Sequence, residues 1–182
     1  MRKVFIDLGA NIGLVSEEFA AKNPEHEIFC IEPNLALMPE IHRRGVDGGR
    51  AFNVVCAAAW ITDGTLDFFH SGPPGAATVI PGKVEINDWP QIDYNNAVRV
   101  PCFDFGKWLR TNFTLMDDIT VKMDIEGAEY ELLDHMFRDK SIFLVRELFC
   151  EWHHDRFPEI TIERHSTLID SLKAVTHLKS WT

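Results

Sequence analysis

Hydrophobic residues in this chain occur as short continuous runs that alternate with longer stretches of mixed apolar and polar positions. A strand buried in a parallel sheet has such a continuous run, whereas a helix packed on the sheet has apolar residues every three or four positions. The pattern predicts strands at residues 3–8, 27–31, 52–60, 65–70, 98–102, 119–124 and 141–150, and helices at 11–22, 35–43, 104–109, 127–137 and 160–178. This alternation predicts an α/β fold with a doubly wound, mostly parallel sheet in a three-layer α/β/α sandwich.

Two segments add detail to this alternation. The turn residues Thr62, Asp63 and Gly64 separate two strands that are adjacent in the chain, which predicts a hairpin appended to the sheet. The predicted strand 141–150 is followed only by the helix 160–178, so its outer edge has no predicted neighbour. Because an open apolar edge invites pairing with another chain, we expect it to be covered by self-association or by the chain's own C-terminal residues.

Composition limits the partners and the location. One domain, 1–182, is predicted because no repeat, linker or low-complexity segment interrupts the chain. The net charge of −10, with no basic cluster beyond Arg43 and Arg44, argues against a nucleic-acid partner. No apolar run reaches the ~20 residues that cross a bilayer and residues 1–13 do not form a signal peptide, so no membrane partner is expected. A reducing, cytoplasmic location is indicated by isolated cysteines that form no CxxC pair: Cys30, Cys56, Cys102 and Cys150.

The segment Asp7 to Gly13 (DLGANIG) joins the first strand to the first helix. Gly9 and Gly13 can adopt positive φ and allow a ligand close to the backbone, and the following helix presents free N–H groups. These features are typical of a nucleotide-type cofactor loop, although Asn11 occupies the place of the middle glycine of GxGxxG. An acid two residues before Gly9 suits the ammonium and sulfonium groups of S-adenosylmethionine (SAM) better than a pyrophosphate. The alternative is a tight strand–helix turn that binds no ligand.

Further acidic residues follow other predicted strands. Glu32 ends the second strand, about 20 residues after the glycine loop, where an acid holds a ribose diol in dinucleotide folds; the alternative is an acid that caps the next helix. Asp124 ends a later strand and is expected to flank, with Asp7, the point at which the strand order reverses. Glu126 stands at the start of a helix and either faces the ligand or, like Glu129, stabilises the positive end of the helix.

The motifs DLGANIG, IEPN and VKMDIEGAEYELL, with the turn-separated strands between them, resemble the FkbM family of methyltransferases over roughly residues 3–155. The resemblance implies a Rossmann-like class I fold and SAM-dependent transfer of a methyl group to a hydroxyl of a sugar or natural product. It also implies where the cofactor lies. Glu32 would hold the ribose, and the methionine end would meet the acceptor near Asp124. The methionine part would be lined by Asp7, Gly9, Asn11 and Gly13, and the adenine would be bordered by Cys56, Ala57 and Ala58.

The chain departs from the family pattern at both ends. Family members usually have helices before the first strand, which here begins at Lys3, and an antiparallel strand pair at the end, where only residues 179–182 follow the last predicted helix. A cap over the cofactor and one sheet edge are therefore expected to be absent or supplied by another chain. The last sheet edge is the expected surface of a homo-oligomer.

Residues 151–155 (EWHHD) follow the strand before them at the place that the resemblance assigns to the rim of the active site. The ordinary pKa of a histidine suits general-base work near neutral pH, which makes His153 a candidate base beside Asp124 and Glu126. The alternative is a surface loop with solvated histidines. No metal is predicted; the less favoured metal site would be formed by His153, His154 and Asp155.

The preferred function is O-methylation of a small hydroxylated or glycosyl acceptor, with SAM as the methyl donor and Asp124, Glu126 and His153 as the catalytic residues. The glycine- and proline-rich loop Ser71 to Thr78 is either a lid over the acceptor or a mobile loop. Two other functions stay open. They are an NAD-type oxidoreductase, which Asn11 disfavours, and a non-catalytic binding subunit that keeps the fold.

Overall fold

The computed structural model describes residues 1–70, 77–84 and 92–181. In chain order its elements are β1 (Lys3–Leu8), α1 (Leu14–Lys22), β2 (His26–Ile31), α2 (Met38–Asp47), β3 (Asn53–Val55), β4 (Ala58–Trp60), β5 (Gly64–Phe68), β6 (Val98–Asp104), α3 (Phe105–Asn112), β7 (Asp118–Met123), α4 (Glu129–Arg138), β8 (Glu147–Cys150), α5 (Ile162–Lys173) and β9 (His177–Ser180). Short 3-10 turns lie at Leu35–Leu37, Ser141–Leu144 and His154–Arg156.

The central sheet is parallel throughout, with the strand order β3-β2-β1-β7-β8-β9. The chain builds outward from β1 through β2 to β3 and later returns to β7 on the other side of β1. The strand order therefore reverses between β1 and β7, whose ends Leu8 and Met123 are directly paired. Ligands of doubly wound sheets bind outside the carboxyl ends of the strands at such a point. The predicted doubly wound α/β fold is confirmed.

Both faces of the sheet are covered, because successive side chains of a strand point to opposite faces. Val4 and Ile6 of β1 lie in a large core cluster with residues of α3 and α4, including Leu109 and Leu132. Phe5 lies in a second cluster with residues of α1 and α2. The short strand β1 is thus buried from both sides, which explains its almost continuous apolar sequence.

The predicted hairpin is wrong. The strands β4 and β5 do not pair with each other; both pair with β6, β4 in parallel and β5 in antiparallel orientation, in a separate sheet of order β4-β6-β5. Residues Ala58, Phe68, Val100 and Cys102 of these three strands form their own apolar cluster. Insertion of β6 adds a third strand, and an isolated pair of strands is only marginally stable.

The C-terminal region also differs from the prediction. The last helix ends at Lys173 rather than at residue 178, and the segment His177–Ser180 forms β9, parallel to β8. The predicted strand 141–150 is divided into a 3-10 turn and the shorter β8. The chain's own C-terminal residues, as β9, therefore cover the apolar edge of β8, which is one of the two expected arrangements. Self-association stays a prediction.

Two predictions from composition can be compared with the structure. The cysteines Cys30, Cys56, Cys102 and Cys150 are free thiols, and three of them are buried. Among the helices in the described ranges, none combines the length and the apolar character needed to cross a membrane.

Candidate functional site

A cavity of about 640 Å³ opens at the carboxyl edge of the central sheet, beside the reversal between β1 and β7. Its volume is within the range of small-molecule sites, roughly 300–1,000 Å³. The second sheet supplies part of its wall, including Phe68 and Val100. The lining includes these residues selected from the sequence: Gly9, Asn11, Glu32, Cys56, Ala58, Asp124 and Glu126.

Glu32 connects the glycine loop to the end of β2. Its side chain is largely buried, and its carboxylate accepts hydrogen bonds from the backbone N–H groups of Asn11 (3.0 Å) and Asn34 (2.9 Å). Burial raises the pKa of Glu32 to about 7, although the two N–H donors act in the opposite direction. A buried carboxylate at the cavity wall is therefore held in place before any ligand arrives.

Gly9 is required by a close approach between two strand ends. Its φ is +74°, and a Cβ at this position would lie 1.9 Å from the carbonyl oxygen of Asp124. Asn11 also has a positive φ of 49°, a conformation that asparagine tolerates better than most residues. Gly13, with φ of +80°, precedes α1 and packs against Ile41, and it is not among the cavity-lining residues. Its contact with the cofactor stays a prediction.

Asp7 and Asp124 flank the strand reversal as predicted, but only Asp124 reaches the cavity. The carboxylate of Asp7 is fully buried, accepts a hydrogen bond from Ser16 Oγ (2.7 Å) and lies 3.2 Å from Lys122 Nζ. Burial raises the pKa of Asp7, against the opposing effects of Lys122 and Ser16. Its side chain faces inward, toward Ser16 and Lys122, and is not among the cavity-lining residues; contact of Asp7 with the cofactor stays a prediction.

Lys122 is a site residue that the sequence interpretation missed. Its ammonium group donates to the carbonyl oxygen of Gly9 (3.1 Å) and lies 3.4 Å from Asp124 Oδ2. Burial acts to lower the pKa of Lys122, but Asp7 and Asp124 outweigh it and the pKa is raised. A single lysine inside the apolar strand β7, beside strand ends that carry acids, was the available signal.

His153 is buried in a group of carboxylates. Its Nδ1 lies 3.1 Å from Glu129 Oε1, and its Nε2 lies 3.2 Å from Glu126 Oε2 and 3.9 Å from Asp124 Oδ1. Burial alone would lower the pKa of His153, but the hydrogen bond to Glu129 and the surrounding negative charges raise it to about 9. A pKa in this range favours the protonated form of His153 at neutral pH and argues against a role as general base, which stays a prediction.

Glu129 has the structural role expected of it. Its buried carboxylate accepts hydrogen bonds from the N–H groups of Ile125 (3.0 Å) and Gly127 (2.9 Å) at the start of α4. Gly127 has a positive φ of 106°, and a Cβ there would lie 2.1 Å from the ring of Phe157. The turn after β7 is thus closed by Glu129 and covered by Phe157, which orders the backbone that carries Glu126.

The segment 77–84 contributes Lys83, which no sequence pattern indicated, and Thr78, the last residue of the loop proposed as a lid. Lys83 Nζ lies 2.7 Å from Glu126 Oε2, and Thr78 Oγ1 donates to the carbonyl oxygen of Glu126 at 2.7 Å. Thr78 also lines the cavity. Most of the loop proposed as a lid, residues 71–76, lies outside the described residues.

The suggested metal ligands do not act together. The ring of His154 stacks on His165, with 3.8 Å between the ring centroids, and so faces a different environment from His153. Within the described ranges, a different group brings one ligand atom per residue within 4.8 Å of one another: Asp124, Glu126 and His153. Lys83 lies beside Glu126, and His153 lies beside both carboxylates. Ala57 is buried and, unlike its neighbours, is not among the lining residues.

A doubly wound parallel sheet with an acid-lined cavity at its reversal is the architecture of Rossmann-like α/β proteins, a class that binds ligands at the carboxyl edge of the sheet. The chain belongs to the FkbM methyltransferases, since the family model for the methyltransferase FkbM domain matches residues 7–177. Neither the curated proteins nor the solved structures contain a significant match to the chain. The resemblance seen in the motifs is confirmed, and membership of this family supports methyl transfer rather than the oxidoreductase alternative.

Proposed function

We propose that the protein is a SAM-dependent O-methyltransferase that acts on a small hydroxylated or glycosyl acceptor. The observation that supports this most is that one cavity joins Glu32, at the end of β2, to Asp124 and Glu126, after the end of β7. Glu32, which can bind the ribose hydroxyls, therefore lines the same cavity as Asp124 and Glu126, which can bind an amine or a hydroxyl. The free cysteines support the proposal of a reducing, cytoplasmic setting.

The residues of the cavity fit SAM in shape and in charge. Glu32 can accept hydrogen bonds from the two ribose hydroxyls, and the small residues Cys56 and Ala58 leave room for a flat adenine ring beside the loop that contains Gly9. When bound, SAM supplies an electrophilic methyl group on a positively charged sulfur. The described network also has more acidic than basic side chains, which favours a cationic ligand: Asp7, Asp124, Glu126, Glu129 and Glu151 against Lys83, Lys122 and His153.

Glu126 is the best-suited base for the acceptor. It lines the cavity, and burial raises its pKa while His153 and Lys83 act in the opposite direction. Asp124 also lines the cavity, with Lys122 beside one of its oxygens, and is suited to orienting the acceptor. Glu126 would accept the proton that the acceptor hydroxyl loses when its oxygen displaces the sulfur of SAM from the methyl carbon and the methyl–sulfur bond breaks. Protonated His153 beside both carboxylates keeps them in place.

The proposal is tested first by binding and then by transfer. Calorimetry should show micromolar binding of SAM and of its demethylated product, no comparable binding of NADH, and a raised melting temperature at excess ligand. A panel of glycosides, nucleotide sugars and phenols incubated with SAM should then include an acceptor that gains the mass of one methyl group. NADH binding without SAM binding would contradict the proposal. SAM binding without transfer to any acceptor would favour the non-catalytic alternative.

A further inference from the structure

Glu126 is held at two points by one segment of the chain. Thr78 Oγ1 donates to its backbone carbonyl at 2.7 Å, and Lys83 Nζ donates to its carboxylate at 2.7 Å. Glu126 needs such support because its φ is +56°, a conformation that is unfavourable for residues other than glycine. The segment 77–84 therefore fixes both the backbone and the side chain of a cavity-lining acid.

Lys83 is well placed to hold an active-site carboxylate rigidly. Its side chain has no exposed surface, and the peptide group between Lys83 and Val84 is anchored through both its carbonyl and its N–H. The N–H of Val84 donates to the carbonyl of Arg156 at 2.8 Å, and the hydroxyl of Tyr94 donates to the carbonyl of Lys83 at 3.3 Å. A buried ammonium group costs free energy unless a carboxylate accompanies it, so the contact with Glu126 is not an incidental surface pair.

Lys83 and His153 both contact the same carboxylate oxygen of Glu126. Lys83 Nζ and His153 Nε2 lie 2.7 Å and 3.2 Å from the same atom, Oε2. Both of these contacts are made to Oε2, so Oε1 is the oxygen that an acceptor would reach. Since Thr78 and Val79 also line the cavity, the segment that orients the carboxylate is part of the wall that an acceptor would touch.

We propose that Lys83 is a positioning residue for methyl transfer, which holds Glu126 through Oε2 so that Oε1 receives the proton of the acceptor hydroxyl. Thr78 assists by holding the backbone of Glu126. This inference rests on the proposed function, because it gives a base the geometry that the reaction requires. The segment 77–84 thus has two functions: it forms part of the cavity wall that an acceptor would touch, and it positions the base Glu126.

The test compares Lys83→Met with Lys83→Arg. The ¹³C NMR signal of the Glu126 side-chain carboxyl is followed as the pH is changed. This signal is assigned as the one that disappears in Glu126→Gln. The charged groups around it are Lys83, His153, Asp124 and Glu151, and loss of Lys83 should raise its pKa. Lys83→Arg should restore the wild-type titration. The acidic limb of the pH–rate profile should move to higher pH in Lys83→Met, and kcat should fall about tenfold or more with an unchanged Kd for SAM.

Lys107→Met is the matched control, because Lys107 also lies 2.7 Å from a carboxylate, that of Asp63, but on the surface. It should leave the titration of Glu126 and the kinetics unchanged. If Lys83→Met does not fold, as a melting curve would show, Lys83→Gln, which also lacks the charge, takes its place. The positioning role is overturned if Glu126 titrates identically in the wild type and in the folded variant that lacks the charge of Lys83, whatever the result for SAM binding. Failure of SAM to bind would instead contradict the proposed function.

Discussion

The imidazole of His153 donates from Nδ1 to the carboxylate of Glu129 at 3.1 Å, and both side chains are buried. A histidine oriented in this way keeps its second nitrogen directed at Glu126 and Asp124. Three carboxylates around one imidazole favour its charged form. A residue that resembled a base in the sequence thus lies in surroundings that favour its cationic form, and the carboxylate of Glu126 beside it is the proposed proton acceptor.

The charged state of His153 predicts that stability decreases at alkaline pH. Because its pKa is raised to about 9 in the folded state, its contribution is fully present below the unfolded value of about 6.5 and is lost as the pH rises through 9. We expect the free energy of unfolding to fall by on the order of 3 kcal/mol over this window. Urea unfolding measured across the window checks this result, with His153→Gln as the control that should lose most of the dependence. A wild-type slope equal to that of the control would contradict it.

Glu32 predicts a pH dependence of cofactor binding in the opposite direction. Its pKa of about 7 means that the carboxylate form, which the ribose hydroxyls require, increases as the pH rises through neutrality. The affinity for SAM should increase by about tenfold between pH 6 and pH 8. Glu32→Gln should remove this dependence and weaken binding by about 1–3 kcal/mol, as measured by calorimetry. Glu40→Gln, on the surface of α2, should behave as the wild type does.

The two cavity-lining acids of the β7–α4 turn should have separable effects on the reaction. Glu126→Gln removes the proposed base and should lower single-turnover methyl transfer at saturating SAM by about 10²–10⁴-fold. Asp124→Asn should lower turnover and also raise the KM for the acceptor, because this residue orients it. Rapid-quench kinetics with the acceptor identified by the screen would measure both effects. A Glu126→Gln variant that reacts at the wild-type rate would leave Asp124, or simple proximity, to account for the step.

Gly9 and Gly49 allow a test of the close approach at the strand reversal. Both have φ of +74°, but a Cβ at Gly9 would overlap the carbonyl of Asp124, whereas nothing lies within 4 Å at Gly49. Each alanine variant incurs the left-handed penalty of about 1–2 kcal/mol, and Gly9→Ala should lose about 1–3 kcal/mol more. Chemical denaturation measures the difference. Equal losses would show that the loop can move away from β7.

The sequence predicted those parts of the site in which the requirement is local. The glycine loop, Glu32 and Asp124 each follow a strand, and strand ends are recognisable from the apolar run before them. A parallel sheet brings such ends to one edge, so the cavity could be expected without knowledge of any contact. Asp7 shows where this reasoning stops, because its position was predicted but the direction of its side chain depends on Ser16 and Lys122.

Sequence alone determined the alternation of strands and helices, the doubly wound class and the edge at which the ligand site lies, since these follow from hydrophobic periodicity and short-range turns. Tertiary structure alone decided that β6 lies between β4 and β5, that β9 covers β8, and that Lys83 reaches Glu126. These contacts join residues that are far apart in the chain, and no local pattern encodes their pairing. The protonation of His153 belongs to the same group, because a pKa is set by burial and by charges that only folding brings together.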